Sequence, residues 1–397
     1  MNPRVTAAPI AVLVTLGLAL GNSSGGHVPS RTADLSSSEI LFADSFVAAV
    51  GHEHSGNLVL SPVNALDALA MLLPGARGAS ESQLRAALHT TEAPETLLAA
   101  SIAAQDRLNG GGVDLAAARA AWLEQTFPVR PSYADTLARA GAPAQAVDFA
   151  GAPEAAREAV NSWATAHTRG RIHDLLPAGS VDRHTALILA TALALDARWA
   201  TPFDKTRTMS APFRGASGTS DVLTMYATTT FPYTSGPGYQ AIELPYENSR
   251  LSAVIVLPRA GVDPLTLLPK LPAISSAMQL KRVALALPRA ELSTALDLRP
   301  ALGSLGLGQL FTRSADLSGI GGRPGDLTLA TARQQTWLTI GEEGTQAAAA
   351  TALVAQVVSL TTDTSAIQMK VDRPFLFVVH DRDNGVALFV ARITDVG

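Results

Sequence analysis

Few residues in this 397-residue chain are placed to do chemistry of their own. His52-Glu53-His54 sets two imidazoles at i and i+2 in a polar stretch, and a surface role is the better reading than metal ligation. His167 and His173 straddle Gly170 and also read as surface positions. Glu342-Glu343 is an adjacent carboxylate pair of the kind general acid–base chemistry uses. Successive side chains of an extended chain point to opposite faces, so these two do not share a proton across one substrate. There is no Gly-x-Ser-x-Gly elbow set between a strand and a helix, and no glycine loop that would cradle a phosphate. Cysteine is absent, which removes disulfides, thiolate nucleophiles and cysteine-based zinc sites. The chain reads as something other than an enzyme, with no cofactor.

The segment that does invite a chemical role is Gly341–Phe377, GEEGTQAAAATALVAQVVSLTTDTSAIQMKVDRPFLF. After two acids and a Gly-Thr pair comes a long run of small, mostly β-compatible side chains, followed by a Pro-Phe strand. Alanine favours helix, so AAAATALVA on its own suits an ordinary helix or linker. Its Ser, Thr and Gln content and its place before an apolar strand suggest instead an exposed loop that is also compatible with a buried strand. In that form Thr345, Ala347, Ala349, Thr351, Leu353 and Ala355 share one face, and none carries a charge whose burial would cost several kcal/mol.

The residues that follow settle how this segment is read. Met369–Val379 (MKVDRPFLFVV) resembles the apolar-Asx-basic-Pro-Phe run of the serpin family, and Gly344-Thr345 leading into Ala347, Ala348, Ala349 and Ala350 resembles the hinge of its inhibitory members. Further matches fall in order: Asn57–Met71 (NLVLSPVNALDALAM), Val160–Leu176 (VNSWATAHTRGRIHDLL), Trp199-Ala-Thr-Pro-Phe203, Leu244-Pro-Tyr246, Ala315-Asp-Leu-Ser-Gly319 and Gly385-Val-Ala-Leu-Phe389. Together they cover most of the chain from about residue 40 onward.

The resemblance implies a mixed α+β fold: one serpin domain over residues 39–397, with about nine helices, three β-sheets and an exposed reactive-centre loop. It also implies a suicide substrate for a target serine protease, trapped as an acyl-enzyme when the cleaved loop enters the central sheet. A non-inhibitory relative that acts as a binding or carrier protein is the second reading, and the small uncharged hinge speaks against it. Counted fourteen positions on from Gly344, the reactive bond falls at Val358-Ser359, which suits an elastase-like pocket. Leu360-Thr361 is the runner-up and would turn the target toward chymotrypsin- or subtilisin-like enzymes; inhibition of cysteine proteases by the same trap stays open. The resemblance further places Glu342 and Gly344 at the hinge, with Arg289 as the basic partner of Glu342. Ser61, Thr191, Trp199 and Gln334 belong to the region where the sheet opens. Three positions depart from the pattern: Gln334 stands where His is common, Thr191 where Asn is, and Asn64 where Ser is. A bond between the Gln334 amide and the Thr191 hydroxyl remains compatible with their donor and acceptor inventory.

Length and charge agree with this. A chain of this size buries an extensive core without covalent staples. The net charge of −4 and dispersed basic residues give no stripe for nucleic acid or another polyanion. Arginine and alanine usage suggests a bacterial genome. Arg4, the apolar run Ile10–Leu20 and Ala19-Leu20-Gly21 match a secretory signal over residues 1–21, with residues 22–38 as a flexible leader. The mature chain is then expected to be extracellular, monomeric and free of membrane.

The elements that must position the hinge follow from periodicity. Ser38–Val50 has helical spacing with Ser38 as a cap, and Ala65–Pro74 and Val160–His167 continue as helices. Leu187–Leu195 is an unbroken apolar run, expected to be a buried central strand. Ser252–Leu257 and Val283–Leu287 read as strands closed by prolines, and Phe375–Val379 and Val386–Ile393 as a strand pair around Asp383-Asn384-Gly385.

Overall fold

The computed structural model describes residues 31–345 and 365–396. Helix α1 (Arg31–Glu53) leads into β1 (Leu58–Leu60), α2 (Pro62–Leu72), α3 (Gly78–Ala87) and α4 (Pro94–Asp106). Then come β2 (Val113–Glu124), α5 (Pro131–Arg139), β3 (Gln145–Val147), α6 (Pro153–His167) and β4 (Leu187–Arg198). The middle of the chain is β-rich: β5 (Met209–Gly215), β6 (Gly218–Gly236), β7 (Tyr239–Pro245) and β8 (Leu251–Pro258). After α7 (Leu271–Ser276) follow β9 (Gln279–Pro288), β10 (Ala290–Asp297), α8 (Arg299–Leu302), β11 (Thr331–Ile340) and β12 (Gly344–Thr345). The last strands are β13 (Ile367–Lys370), β14 (Phe375–Asp381) and β15 (Ala387–Ile393).

The strands form two sheets. One runs β10-β11-β4-β2-β3, with β12 also paired to β4; the other runs β1-β15-β14-β8-β7-β6-β9-β13, with β5 on β6. Among the described residues there are eight α-helices, in keeping with the expected number of about nine, and two sheets in place of the expected three. The cause is β6. Its 19 residues pair in turn with β5 (Gly218–Thr224), β9 (Thr224–Tyr233) and β7 (Tyr233–Gly236), so one strand stitches two layers into a single ladder.

β4 was expected from its apolar run, and its first nine residues are all buried. A strand without polar alternation needs cover on both faces. Here Leu187 and Leu189 face the helices around α2, while Ile188, Ala190 and Ala192 face α6, where Trp163 meets Trp122 edge-on at 5.7 Å. The predicted β8, β9, β14 and β15 are all present, and Gly385 between the last two takes φ +77°, a conformation few other residues tolerate.

Two expectations change at the first helix. It starts at Arg31, inside the segment 22–38 read as a leader. Ser38 lies within it rather than capping it, and its hydroxyl donates to the His89 carbonyl at 2.8 Å, tying α1 to the end of α3. The signal segment 1–21 lies outside the described residues.

Candidate functional site

The hinge lies where β11 hands the chain to β12. β11 runs parallel to β4, from Thr331 opposite Ile188 to Trp337 opposite Ala194. It ends at Ile340, the chain turns through Gly341–Glu343, and Gly344 and Thr345 pair antiparallel with Arg198 and Ala197 of the same β4. The hinge has therefore already begun a new strand in the sheet. Thr345, expected in the exposed loop, is fully buried.

Gly344 is required by close approach rather than by conformation. Its φ is not positive, so backbone freedom is not what the position needs. A Cβ there would stand 2.0 Å from the Ala197 carbonyl oxygen, a main-chain atom that cannot swing away. Only glycine lets the new strand approach β4 this closely.

An aromatic stack receives the hinge. Trp199 lies on Tyr246 with centroids 4.7 Å apart and planes 9° from parallel. The Trp199 indole donates to the Gly341 carbonyl at 2.9 Å, and its backbone N–H donates to Glu343 at 2.8 Å. The Phe203 N–H donates to the Glu342 carbonyl at 2.8 Å. Tyr246 and Thr345 share a buried hydroxyl–hydroxyl bond of 2.5 Å. Burial pushes the Tyr246 pKa up, so this phenol stays neutral and keeps its proton for the bond. Trp199 thus sits at the hinge end of β4, while Thr191 and Gln334 lie further along the sheet.

The two adjacent acids diverge across the turn between β11 and β12. Glu342 is buried; its carboxylate accepts from the Thr208 hydroxyl at 2.9 Å and lies 3.7 Å from the Arg289 guanidinium. Glu343 is exposed and pairs with Lys205. The Arg289–Glu342 ion pair expected from the sequence is present. Thr208 and Lys205 were not anticipated, because nothing in their sequence neighbourhood marks a partner more than 130 positions away.

Further along β11 the pattern differs. Arg119 of β2 stands opposite Thr191 of β4, which stands opposite Gln334 of β11. Partners in register share a sheet face, and this row faces α2. The Gln334 amide does not bond Thr191. It donates to the Ser61 carbonyl and accepts from the Ser61 N–H, both at 2.9 Å. Thr191 turns its hydroxyl to the Arg333 carbonyl at 3.4 Å. Geometry explains the correction: an amide offers a donor and an acceptor side by side, which match the two backbone groups of Ser61. Ser61 also caps α2, its hydroxyl accepting from Asn64 N–H at 3.3 Å. Asn64 is fully buried, and its amide atoms find no partner among the described residues. Arg119 pairs with Asp67 of α2 at 3.2 Å.

Ala347, Ala348, Ala349, Ala350, Val358 and Ser359 lie outside the described residues, as does the alternative Leu360-Thr361. Among the described residues no group of three or more His, Cys, Asp or Glu side chains is arranged to hold a metal ion. His54 is engaged by the Val50 carbonyl at 3.0 Å, and His167 by Trp163 at 2.8 Å.

The chain thus places a two-residue strand from the hinge against β4, beside the end of β11, and one family accounts for its sequence over nearly the whole of the described fold. The model of that family, serpin (serine protease inhibitor), matches residues 38–396, and the chain belongs to it. Among similar proteins, the leukocyte elastase inhibitor of Bos taurus is 33% identical over 380 residues, covering 91% of this chain and 99% of that one. Ipis-1 of Ixodes persulcatus is 33% identical over 357 residues, covering 87% and 94%. An uncharacterized serpin-like protein of Thermococcus kodakarensis is 30% identical over 352 residues, covering 86% and 81%. Among solved structures, Serpin48 of the insect Tenebrio molitor superposes with a TM-score of 0.81 at 27% identity, covering 94% of this chain and 100% of that one.

Proposed function

We propose that this serpin is a suicide-substrate inhibitor of serine proteases, and that its target has an elastase-like preference for small apolar residues. The observation that carries the reading is the placement of Gly344 and Thr345, paired antiparallel to β4 beside the end of β11. In sequence, Gly344 and Thr345 lead on to Ala347, Ala348, Ala349 and Ala350, none of which has a charge to desolvate.

The chemistry belongs to the protease. Its serine oxygen attacks the Val358 carbonyl carbon, the Val358–Ser359 amide breaks, and the serine proton passes through the protease's histidine to the departing Ser359 amine. An ester now links protease to hinge segment, and the freed segment extends the β12 strand down the seam between β4 and β11. About a dozen new strand residues at roughly 1 kcal/mol of net hydrogen bonding each give a drive on the order of 10 kcal/mol. That is enough to pull the acylated protease away before water completes the turnover.

The match to leukocyte elastase inhibitors supports the target class, as does the absence of Lys and Arg between Gly344 and Met369. The same reading makes Val358-Ser359 the reactive bond, the protein a monomer, and its location extracellular after removal of residues 1–21. The arginine- and alanine-rich composition supports a bacterial source.

The test is to mix the protein with elastase-, chymotrypsin- and subtilisin-type enzymes and run denaturing gels. A denaturant-resistant complex with the elastase type is expected, together with a released fragment that begins at Ser359. A fragment beginning at Thr361 moves the bond to Leu360. Cleavage of the loop by all three enzymes without any covalent complex overturns the inhibitory reading.

A further inference from the structure

One face of the larger sheet carries a trough that the inhibitory reading does not use. Across β13, β9 and β6 the register sets Lys370 opposite Ala286 and Ala286 opposite Tyr226. The neighbouring row is Gln368, Ala284 and Thr228. Residues in register share a face, so two alanines on the central strand lie between longer side chains on both flanks. Phe213 of β5 and Val222 of β6 supply apolar surface at its wall. The result is a cavity of about 390 Å³, within the range of small-molecule sites.

The rim has a sign. Lys370 and Arg207 both line the cavity, and neither is in an ion pair among the described residues. The carboxylate on the same rim, Asp372, is already engaged by Arg214 at 2.5 Å and Arg373 at 3.1 Å. An apolar floor under two uncommitted cations asks for a ligand with an apolar body and one negative group. Tyr226, half-buried beside the floor, keeps its phenol protonated because burial pushes its pKa up, and so adds no competing charge.

We propose that this trough is a binding site for an amphipathic carboxylate, with an acyl or aryl-alkyl body lying over Ala284 and Ala286 and the carboxylate meeting the cations Lys370 and Arg207. The site is separate from the hinge, and its occupancy does not depend on whether the protein inhibits a protease.

The experiment is isothermal titration of the full-length protein with decanoate and, as a charge-reversed match, decylamine. Decanoate is expected to bind saturably with Kd on the order of 0.1 mM or tighter, and decylamine at least ten-fold more weakly. Ala286→Leu fills the floor at a half-exposed position and should weaken decanoate at least ten-fold without changing the thermal unfolding curve. Lys370→Glu combined with Arg207→Glu should reverse the preference toward decylamine. Absence of saturable decanoate binding, or binding unchanged in Ala286→Leu, overturns the site. Equal binding of the two probes to the wild type overturns its assignment to anions.

Discussion

The seam between β4 and β11 is fastened in two different ways along its length. At the hinge end, bonds run across the seam from Trp199 to Gly341 and Glu343 and from Phe203 to Glu342, while Tyr246 holds Thr345 on the β4 side and Arg289 holds Glu342 on the β11 side. At mid-sheet, Arg119, Thr191 and Gln334 stand in one row, and none bonds its neighbour through side chains. Arg119 and Gln334 each reach separately to α2, at Asp67 and Ser61. A strand entering from the hinge end must therefore displace side-chain bonds first. At mid-sheet it would break the backbone ladder of the seam and one 3.4 Å bond from the Thr191 hydroxyl to the Arg333 carbonyl, while Arg119 of β2 and Gln334 of β11 keep their ties to Asp67 and Ser61. In this protein the resistance to opening is concentrated where the new strand starts.

The strongest test of that contrast is Thr345→Arg. Thr345 is fully buried against Tyr246, so a guanidinium there must be desolvated or the hinge must leave the sheet. The expected outcome is complete conversion from inhibitor to ordinary substrate, measured as cleaved protein without covalent complex. Complexes at wild-type stoichiometry would mean that insertion does not proceed through this position.

Gln334→Ala should come next, with a loss of about 3 kcal/mol in denaturant unfolding, because both the N–H and the carbonyl of buried Ser61 lose their partner. Thr191→Val should stay within about 1 kcal/mol of wild type, since its hydroxyl makes only a 3.4 Å contact with Arg333. Equal losses in the two variants would show that the row is bonded across the seam after all.

The mid-sheet anchorage also has a pH signature. Glu39 of α1 is buried beside Asp67 of α2, Ser101 of α4 and Asp381 of β14, with Arg119 and Gln105 bound to Asp67. Burial first, and the Asp67 charge second, push its pKa up from 4.5 to about 8. Between these values the folded state holds a proton that the unfolded state has released, so the contribution of Glu39 to stability is fully present below about pH 4.5 and is lost as pH rises toward 8. Wild type should lose about 2 kcal/mol between about pH 6 and 8, and Glu39→Gln should flatten the dependence. Unfolding curves at several pH values read this directly. Parallel pH profiles would mean that Glu39 is charged in the fold.

What the sequence made legible was local. The apolar run of β4, the turn at Gly385 and the acid-Gly-Thr order of the hinge need only neighbouring residues to be recognised. The Arg289–Glu342 pair was accessible because a family resemblance supplied the long-range partner. Gln334 shows where this fails. A polar residue in a buried strand announces that it needs a partner but not which one, and the choice between Thr191 and Ser61 depends on how α2 sits against the sheet. Gly344 could be placed at the hinge by resemblance, but the close approach that demands glycine there was not legible, because a one-dimensional pattern does not show the carbonyl of Ala197. The number of sheets was missed for the same reason. The length of β6 comes from three successive partners, each contributed by a different part of the chain.

The smallest effect should come from the hinge end, and it sharpens the contrast by separating charge from packing there. Arg289 is partly exposed and 3.7 Å from Glu342, so the pair is worth about 1 kcal/mol or less after screening. Arg289→Ala leaves the Thr208 bond to Glu342 and the Trp199–Tyr246 stack intact. It should lower unfolding stability by about 1 kcal/mol at low salt and by less at high salt, where exposed charges are screened. Spontaneous insertion of the uncleaved loop, followed as the slow loss of inhibitory activity at raised temperature, should accelerate only a few-fold. A loss of 3 kcal/mol or more, unchanged by salt, would show that Glu342 depends on Arg289 to remain buried, and that the ion pair rather than the aromatic stack holds the hinge end closed.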